Sequence, residues 1–355
     1  MKYEKAVDTV RTNGLNLQHV SKEFRNDINI GKFAVKHDGL SAKFLSDNLK
    51  KNIDVATAAV REDGLALKYL DKSISSNMHI VRRAVRQNER AVAFVDKNLL
   101  ENKDNVIELI KSNGLVIEYL DKKYSNNKEL VLKAVEQNGM ALGKVNDEML
   151  RDKEIVETAV KQNGYALKFT GLSFRSDKKL VLNAVACCGI VSQFIATELL
   201  DDSEVMLAAA LSYPDAILFA GNKVKSDKGV AEKIVAIDGR AIRNFSQEIM
   251  DSEKIVQIAV ENDGMALEFT SVKLRNQKNI VLSAIKSNGL ALRYASTDMK
   301  NNYDIVLNAV SQNGLALQFA SETLKDNYDI VLAAFKNDQK CLIYTTLRMR
   351  DILKI

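Results

Sequence analysis

Glycine recurs at intervals of 25 residues along most of this chain, and no other feature of the sequence restricts its fold as strongly. Eleven of the sixteen glycines share one column of the repeat: Gly14, Gly39, Gly64, Gly114, Gly139, Gly164, Gly189, Gly239, Gly264, Gly289 and Gly314. The remaining places of the column hold Glu89, Pro214 and Gln339. Fourteen repeats of 25 residues, from 2 to 351, thus follow without insertion or deletion, before a tail at 352–355. This strict spacing predicts a single repeat array, because an extra residue would break the stacking of neighbouring repeats.

Apolar residues keep fixed distances from the glycines and predict that each repeat is helical. Ahead of one glycine, four apolar residues have a helical spacing: Ile305, Val306, Ala309 and Val310. They share one side of a helix but would face both sides of a strand. We expect Gly314 to end this helix in the left-handed conformation, and a second, buried helix to span about 315 to 320. The sequence therefore predicts an all-α fold, an α-solenoid (superhelical array) of fourteen 25-residue two-helix repeats.

Composition is typical of a folded protein with little charge bias. Hydrophobic residues make up 46% of the chain and charged residues 27%, and proline occurs once. These values argue against a disordered chain, and a net charge of +5 does not by itself point to nucleic acid. Three cysteines fit a reducing compartment, and no apolar run has the length of a membrane span. We expect a cytoplasmic protein without a membrane partner, and delivery into a host cell by a non-classical route stays open.

Side chains that carry catalysis or bind metals do not converge in this sequence. His19, His37 and His79 fall in three different columns of the repeat. The adjacent Cys187 and Cys188 lack a second pair at the spacing of a zinc site. No phosphate-binding loop or nucleophile elbow occurs. We expect a non-enzymatic protein with no catalytic residue, no metal and no cofactor.

One family resemblance follows from the repeat motif. The segment DIVLNAVSQNGLALQFASETLKDN, and the pattern IVLxAVxxNGxALxFA along essentially the whole chain, resemble the repeats catalogued as domain of unknown function 4116. The family's unit would correspond to two of the 25-residue repeats. The resemblance implies helical repeats without an assigned activity. Members of the family occur in bacteria, including intracellular ones, in protists and in large viruses, which implies at most a host-facing or interaction role.

Apolar residues occupy exposed helix positions in the middle of the chain. Most repeats place polar residues ten, six, three and two positions before the glycine, as in Asp304, Asn308, Ser311 and Gln312. In repeats eight to ten, several of these positions and one position of the second helix are apolar instead. The residues are Ala186, Cys187, Ala208, Leu211, Leu218, Ala236 and Ile237, and they form a candidate protein-binding patch. Apolar surfaces of this kind usually mark contact sites. Alternatively, Pro214 changes how its helix ends and buries some of these residues.

The sequence favours a protein-interaction scaffold whose partner is another protein. A nucleic-acid-binding helical repeat protein is the first alternative, because the column three places before the glycine is rich in basic residues: Arg11, Lys36, Arg61, Arg86, Lys111, Lys161, Lys286 and Lys336. Glu136 and Glu261 interrupt that column. The second alternative is a structural subunit that self-associates through its C-terminal end, because the tail at 352–355 resembles the start of a further first helix.

Overall fold

A computed structural model describes residues 2 to 353 of the chain, and every regular element in this range is helical. The prediction of an all-α repeat fold is confirmed. The chain divides into two compact units, Met1–Gly171 and Leu172–Ile355. A single array over 2–351 stays a prediction.

Each repeat contains three helical segments rather than two. Around Gly314, a long α-helix spans Tyr303–Gln312, a 3₁₀ helix spans Gly314–Phe319, and a short α-helix spans Glu322–Lys325. The predicted second helix is therefore a 3₁₀ helix, a form that proteins use mainly in short pieces. A separate short helix follows it.

The first compact unit holds the long helix and the 3₁₀ helix of seven repeats and the third segment of six of them. Its long helices are α1 (Tyr3–Thr12), α2 (Ile28–His37), α3 (Ile53–Glu62), α4 (Met78–Gln87), α5 (Lys103–Ser112), α6 (Lys128–Gln137) and α7 (Lys153–Gln162). The 3₁₀ helices that follow them are Gly14–His19, Gly39–Phe44, Gly64–Tyr69, Glu89–Phe94, Gly114–Tyr119, Gly139–Lys144 and Gly164–Phe169. The third segments are Phe24–Asn26, Asp47–Lys50, Lys72–Ser75, Lys97–Glu101, Lys122–Ser125 and Met149–Arg151.

The second compact unit repeats this order of segments. It begins with the short helix Leu172–Arg175. Its long helices are α8 (Lys178–Cys187), α9 (Ser203–Ser212), α10 (Lys228–Val235), α11 (Glu253–Asn262), α12 (Lys278–Ser287), α13 (Tyr303–Gln312) and α14 (Tyr328–Asn337). The 3₁₀ helices are Gly189–Phe194, Pro214–Phe219, Gly239–Asn244, Gly264–Phe269, Gly289–Tyr294, Gly314–Phe319 and Gln339–Tyr344. The remaining short segments are Thr197–Leu200, Asn222–Lys225, Gln247–Met250, Leu274–Asn276, Thr297–Lys300, Glu322–Lys325 and Leu347–Leu353.

The core of each repeat lies where the apolar columns predict it. In α13 the buried residues are Ile305, Val306, Ala309 and Val310. The long helices of successive repeats pack side by side within each compact unit, as α12 and α13 do. The polar columns thus remain at the surface, where they form the face available for contacts.

The glycine column has a different cause from the one predicted. Asn313, ahead of Gly314, is extended, with φ −148° and ψ 109°, and its side chain accepts a hydrogen bond from the N–H of Leu315. No column glycine whose surroundings are described has a φ in the left-handed region. A Cβ at Gly289 would lie 2.6 Å from the carbonyl oxygen of Ala309. Glycine is therefore required by the close approach of the next repeat.

Hydrogen bonds tie successive repeats together at the same point. The N–H of Gly289 donates to Oε1 of Gln312 over 2.7 Å, 23 residues further along the chain. The same bond joins Gly64 to Gln87, Gly114 to Gln137, Gly139 to Gln162, Gly189 to Ser212, Gly239 to Asn262, Gly264 to Ser287 and Gly314 to Asn337. In these repeats the residue two places before the glycine column is thus a link as well as a surface position.

The sequence suggested that the tail begins a further long helix, and the described part of the tail does not. Ile352 and Leu353 continue the short helix Leu347–Leu353. Ile352 stands where Asn327 caps α14 one repeat earlier, and an isoleucine side chain cannot accept the capping hydrogen bond. Lys354 and Ile355 lie outside the described residues.

Candidate protein-binding surface

Helix α9 lacks the polar face of the other long helices. Val205, Met206 and Ala209 are buried in the core, as the equivalent residues are elsewhere. On the outer side, Ala208 is half-buried and Leu211 is 53% exposed. A single exposed leucine is ordinary on a protein surface, so Leu211 matters only together with the exposed apolar residues on the neighbouring helices.

Three neighbouring long helices share this property at their C-terminal ends. Ala186 and Cys187 are exposed at the end of α8, and Ala236 and Ile237 are exposed directly after α10. The exposed fraction of Ile237 is 51%. Helix α9 packs against both α8 and α10. We call the resulting surface the helix-end patch; it consists of Ala186, Cys187, Ala208, Leu211, Ala236 and Ile237.

Leu218, the seventh predicted residue, lies on a different segment. It is exposed on the 3₁₀ helix Pro214–Phe219, three residues after Asp215 and therefore on the same face of that helix. Asp215 accepts hydrogen bonds from Arg243 at 2.8 Å and Asn244 at 2.9 Å. The face of the 3₁₀ helix that carries Leu218 thus also carries an ion pair, unlike the six residues of the helix-end patch, which lie on α8 and α9 or directly after α10.

Pro214 leaves the helix end unchanged, so the burial alternative is wrong. Helix α9 ends at Ser212, and Tyr213 is extended with φ −150° and ψ 94°, as Asn313 is in its repeat. Pro214 is the first residue of its 3₁₀ helix, a place that suits its fixed φ. Proline has no N–H to donate to the next repeat. The position 23 residues later, which holds the accepting side chain in other repeats, is here the apolar Ile237.

Two residues beside the patch were missed by the sequence analysis. In twelve of the fourteen repeats, the residue ahead of the glycine column is Asn or Asp, whereas repeats eight and nine hold Cys188 and Tyr213. Neither side chain makes the capping hydrogen bond found at Asn313. The loss of such a cap costs about 1 kcal/mol. The column itself carried this signal, since it otherwise holds only Asn or Asp.

The three cysteines differ in accessibility. Cys187 is exposed, Cys188 is half-buried and Cys341 is buried, and all three are free thiols. Burial, with the nearby charge of Asp338 as a smaller cause, raises the pKa of Cys341 to about 11. Cys341 is therefore an unreactive core residue, whereas Cys187 offers its thiol at the patch.

Among residues 2 to 353, no three His, Cys, Asp or Glu side chains are placed to hold a metal ion. The histidines stay apart: His37 Nδ1 accepts from the N–H of Gly14, and His79 Nε2 accepts from Arg83. Within the same described range, no helix has the length and apolar character needed to cross a membrane.

Comparison with known families places the chain among helical repeats. The family model described as domain of unknown function (DUF4116) matches residues 5–41, 32–75, 77–125, 127–175, 227–275, 253–300, 277–323 and 302–350. These segments leave out 176–226, the stretch that holds Leu211, Leu218 and most of the helix-end patch. Searches of curated proteins and of solved structures found no match. Because the matched segments cover most of the sequence, the chain belongs to the DUF4116 family of repeats, a domain of unknown function.

Proposed function

We propose that this protein is a non-enzymatic scaffold that binds another protein through the helix-end patch. The observation that carries the proposal is the exposure of Leu211 and Ile237 at the same end of adjacent long helices. Full burial of a leucine or isoleucine side chain stabilises by about 1.5–3 kcal/mol. Since each is already about half-buried, a partner that covers both gains on the order of 1 kcal/mol from each.

The side chains of the patch favour an apolar partner surface. None of the six is acidic or basic, and Lys178 pairs with Asp202 and Glu204 at the opposite ends of α8 and α9, with N–O distances of 2.7 Å. The patch itself thus offers no charge to select a strongly charged partner. We therefore expect binding that depends on shape and apolar contact and that changes little with salt, unlike binding to nucleic acid.

The test compares two double variants of equal charge. Leu211→Asp with Ile237→Asp places two carboxylates in the patch, whereas Asn308→Asp with Ser311→Asp places two at exposed positions of α13. A partner captured from the native cell is purified, and its affinity is measured by calorimetry for wild type and both variants. We expect a loss of at least about tenfold for the patch variant only.

Two outcomes would count against the proposal. Equal affinities for the patch variant and the α13 variant would show that the partner binds elsewhere. A large loss of helical circular dichroism in the patch variant would show that Leu211 and Ile237 are needed for folding and would remove the argument from their exposure.

A further inference from the structure

The first compact unit carries an open concavity of about 650 Å³ with an unusual lining. Its walls are formed by Arg61, His79, Arg82, Arg83, Arg86 and Gln87. No acidic side chain lines it, and its one aromatic ring is the imidazole of His79. We call it the arginine concavity; it lies on a compact unit that does not contain the helix-end patch.

One helix supplies most of the lining. His79, Arg82, Arg83 and Arg86 stand at positions i, i+3, i+4 and i+7 of α4 and therefore form one stripe. Helix α4 contains no acidic residue that could neutralise them. Arg61 comes from the neighbouring helix α3, at the same place in its repeat as Arg86.

Most of this positive charge is not compensated by the protein. Arg82 Nη1 lies 3.5 Å from Glu108 Oε2, and Arg83 Nε donates to His79 Nε2 at 3.2 Å. Within residues 2–353, the guanidinium groups of Arg61 and Arg86 make no ion pair or hydrogen bond with another side chain.

Several other cations of the same compact unit are paired across repeats. Lys32 lies 2.9 Å from Asp54, Lys103 lies 2.7 Å from Glu129, and Lys128 contacts both Asp152 and Glu154 at 2.8 Å. Clustered like charges repel one another, and an anion that enters the arginine concavity relieves this repulsion.

The lining selects among anions. Guanidinium groups form paired hydrogen bonds with phosphate oxygens, and several of them around one concavity match a dense cluster of negative charge. An acidic peptide spreads single charges along its chain, and the concavity has no row of Phe, Tyr or Trp rings on which successive nucleic-acid bases would stack. We propose that the arginine concavity binds a small ligand with two or more adjacent phosphoryl groups.

Inorganic triphosphate is the probe, added to the full chain in a calorimeter at near-physiological salt. We expect Arg83→Gln with Arg86→Gln to weaken its affinity by at least about tenfold, and sulfate at equal ionic strength to bind at least about tenfold more weakly. The control, Lys161→Gln with Lys286→Gln, removes two exposed cations from the same column elsewhere and should bind as wild type does. Equal losses in both variants, or no measurable binding by wild type, would overturn the proposal.

Two further measurements keep the result unambiguous. Arg86→Lys preserves the charge but not the planar fork, so its affinity should lie between those of wild type and the double variant. A short single-stranded RNA serves as the second ligand. If it binds more tightly than triphosphate and also depends on Arg11 and Lys36, the surface is a nucleic-acid track and the small-ligand proposal is wrong.

Discussion

The backbone of the next repeat comes so close to Gly289 that the cost of a side chain there can be predicted as a free energy of unfolding. A methyl group there would lie 2.6 Å from the carbonyl oxygen of Ala309 and 2.6 Å from Oε1 of Gln312. Overpacking of this kind typically costs about 1–3 kcal/mol. Displacement of the Gln312 side chain also weakens its 2.7 Å hydrogen bond with Gly289, a loss of about 0.5–1.5 kcal/mol. We expect Gly289→Ala to reduce the free energy of unfolding by about 1.5–4.5 kcal/mol.

Comparison with asparagine separates the two explanations of this column. If the glycine were left-handed, Gly289→Asn would be tolerated better than Gly289→Ala, because asparagine adopts that conformation more readily. With steric exclusion as the cause, the larger asparagine is the worse substitution. Urea unfolding followed by circular dichroism measures both. A Gly289→Asn protein as stable as Gly289→Ala, or more so, would refute the reasoning.

Gly229 is the matched control. It lies in the first turn of α10, and a Cβ there would meet only Asp227 Oδ1, at 3.4 Å. Alanine favours a helix over glycine by roughly 0.5–1 kcal/mol, so Gly229→Ala should leave the stability unchanged or raise it by up to that amount.

Three more predictions follow from the side chains around the core and the patch. At pH 8, iodoacetamide should modify Cys187 well before Cys341, because burial holds the pKa of Cys341 at about 11; peptide mapping that finds both modified at the same rate would contradict this. Tyr213→Asn restores the missing cap and should raise the free energy of unfolding by about 1 kcal/mol while it weakens partner binding; an unchanged urea midpoint would count against the capping argument. A hydrogen bond from Lys128 and backbone N–H groups at the start of α7 hold the pKa of Asp152 below its ordinary value of 3.8, so its contribution is present above that value and is lost as the pH falls through the lower folded pKa. Asp152→Asn keeps a capping oxygen without the charge, so its melting temperature should fall less than that of wild type between pH 7 and pH 3, and an identical fall would argue against the pair.

The buried columns could be predicted from the sequence because their cause is local. Ile305, Val306 and Ala309 occupy one face of one helix, and a period read from the sequence determines that face. The exposure of Leu211 and Ile237 was predictable for the same reason, since other repeats hold polar residues in those columns.

The role of the glycines could not be predicted in this way. The group that excludes a side chain at Gly289 is the carbonyl oxygen of Ala309, 20 residues away in the next repeat. Locally, an Asn-Gly pair after a helix is a common signal for a left-handed end, and the sequence gives no hint of the approaching backbone.

Two surface features were hidden for related reasons. Leu218 shares the apolar character of the patch, but the same face of its helix carries the ion pair between Asp215 and Arg243, which a column of residues does not show. The arginine concavity combines Arg61 with a stripe of side chains along α4. Of its four arginines, the basic column of the repeat contains Arg61 and Arg86 and does not contain Arg82 and Arg83.

Amide hydrogen exchange of the purified complex tests most directly whether the ends of α8, α9 and α10 form a protein-binding surface. We predict that saturating partner slows amide exchange at residues 186–190, 211–213 and 236–240 and leaves the corresponding helix ends of α12 and α13 unchanged. Slower exchange confined to other repeats, with no change at these three segments, would contradict the account.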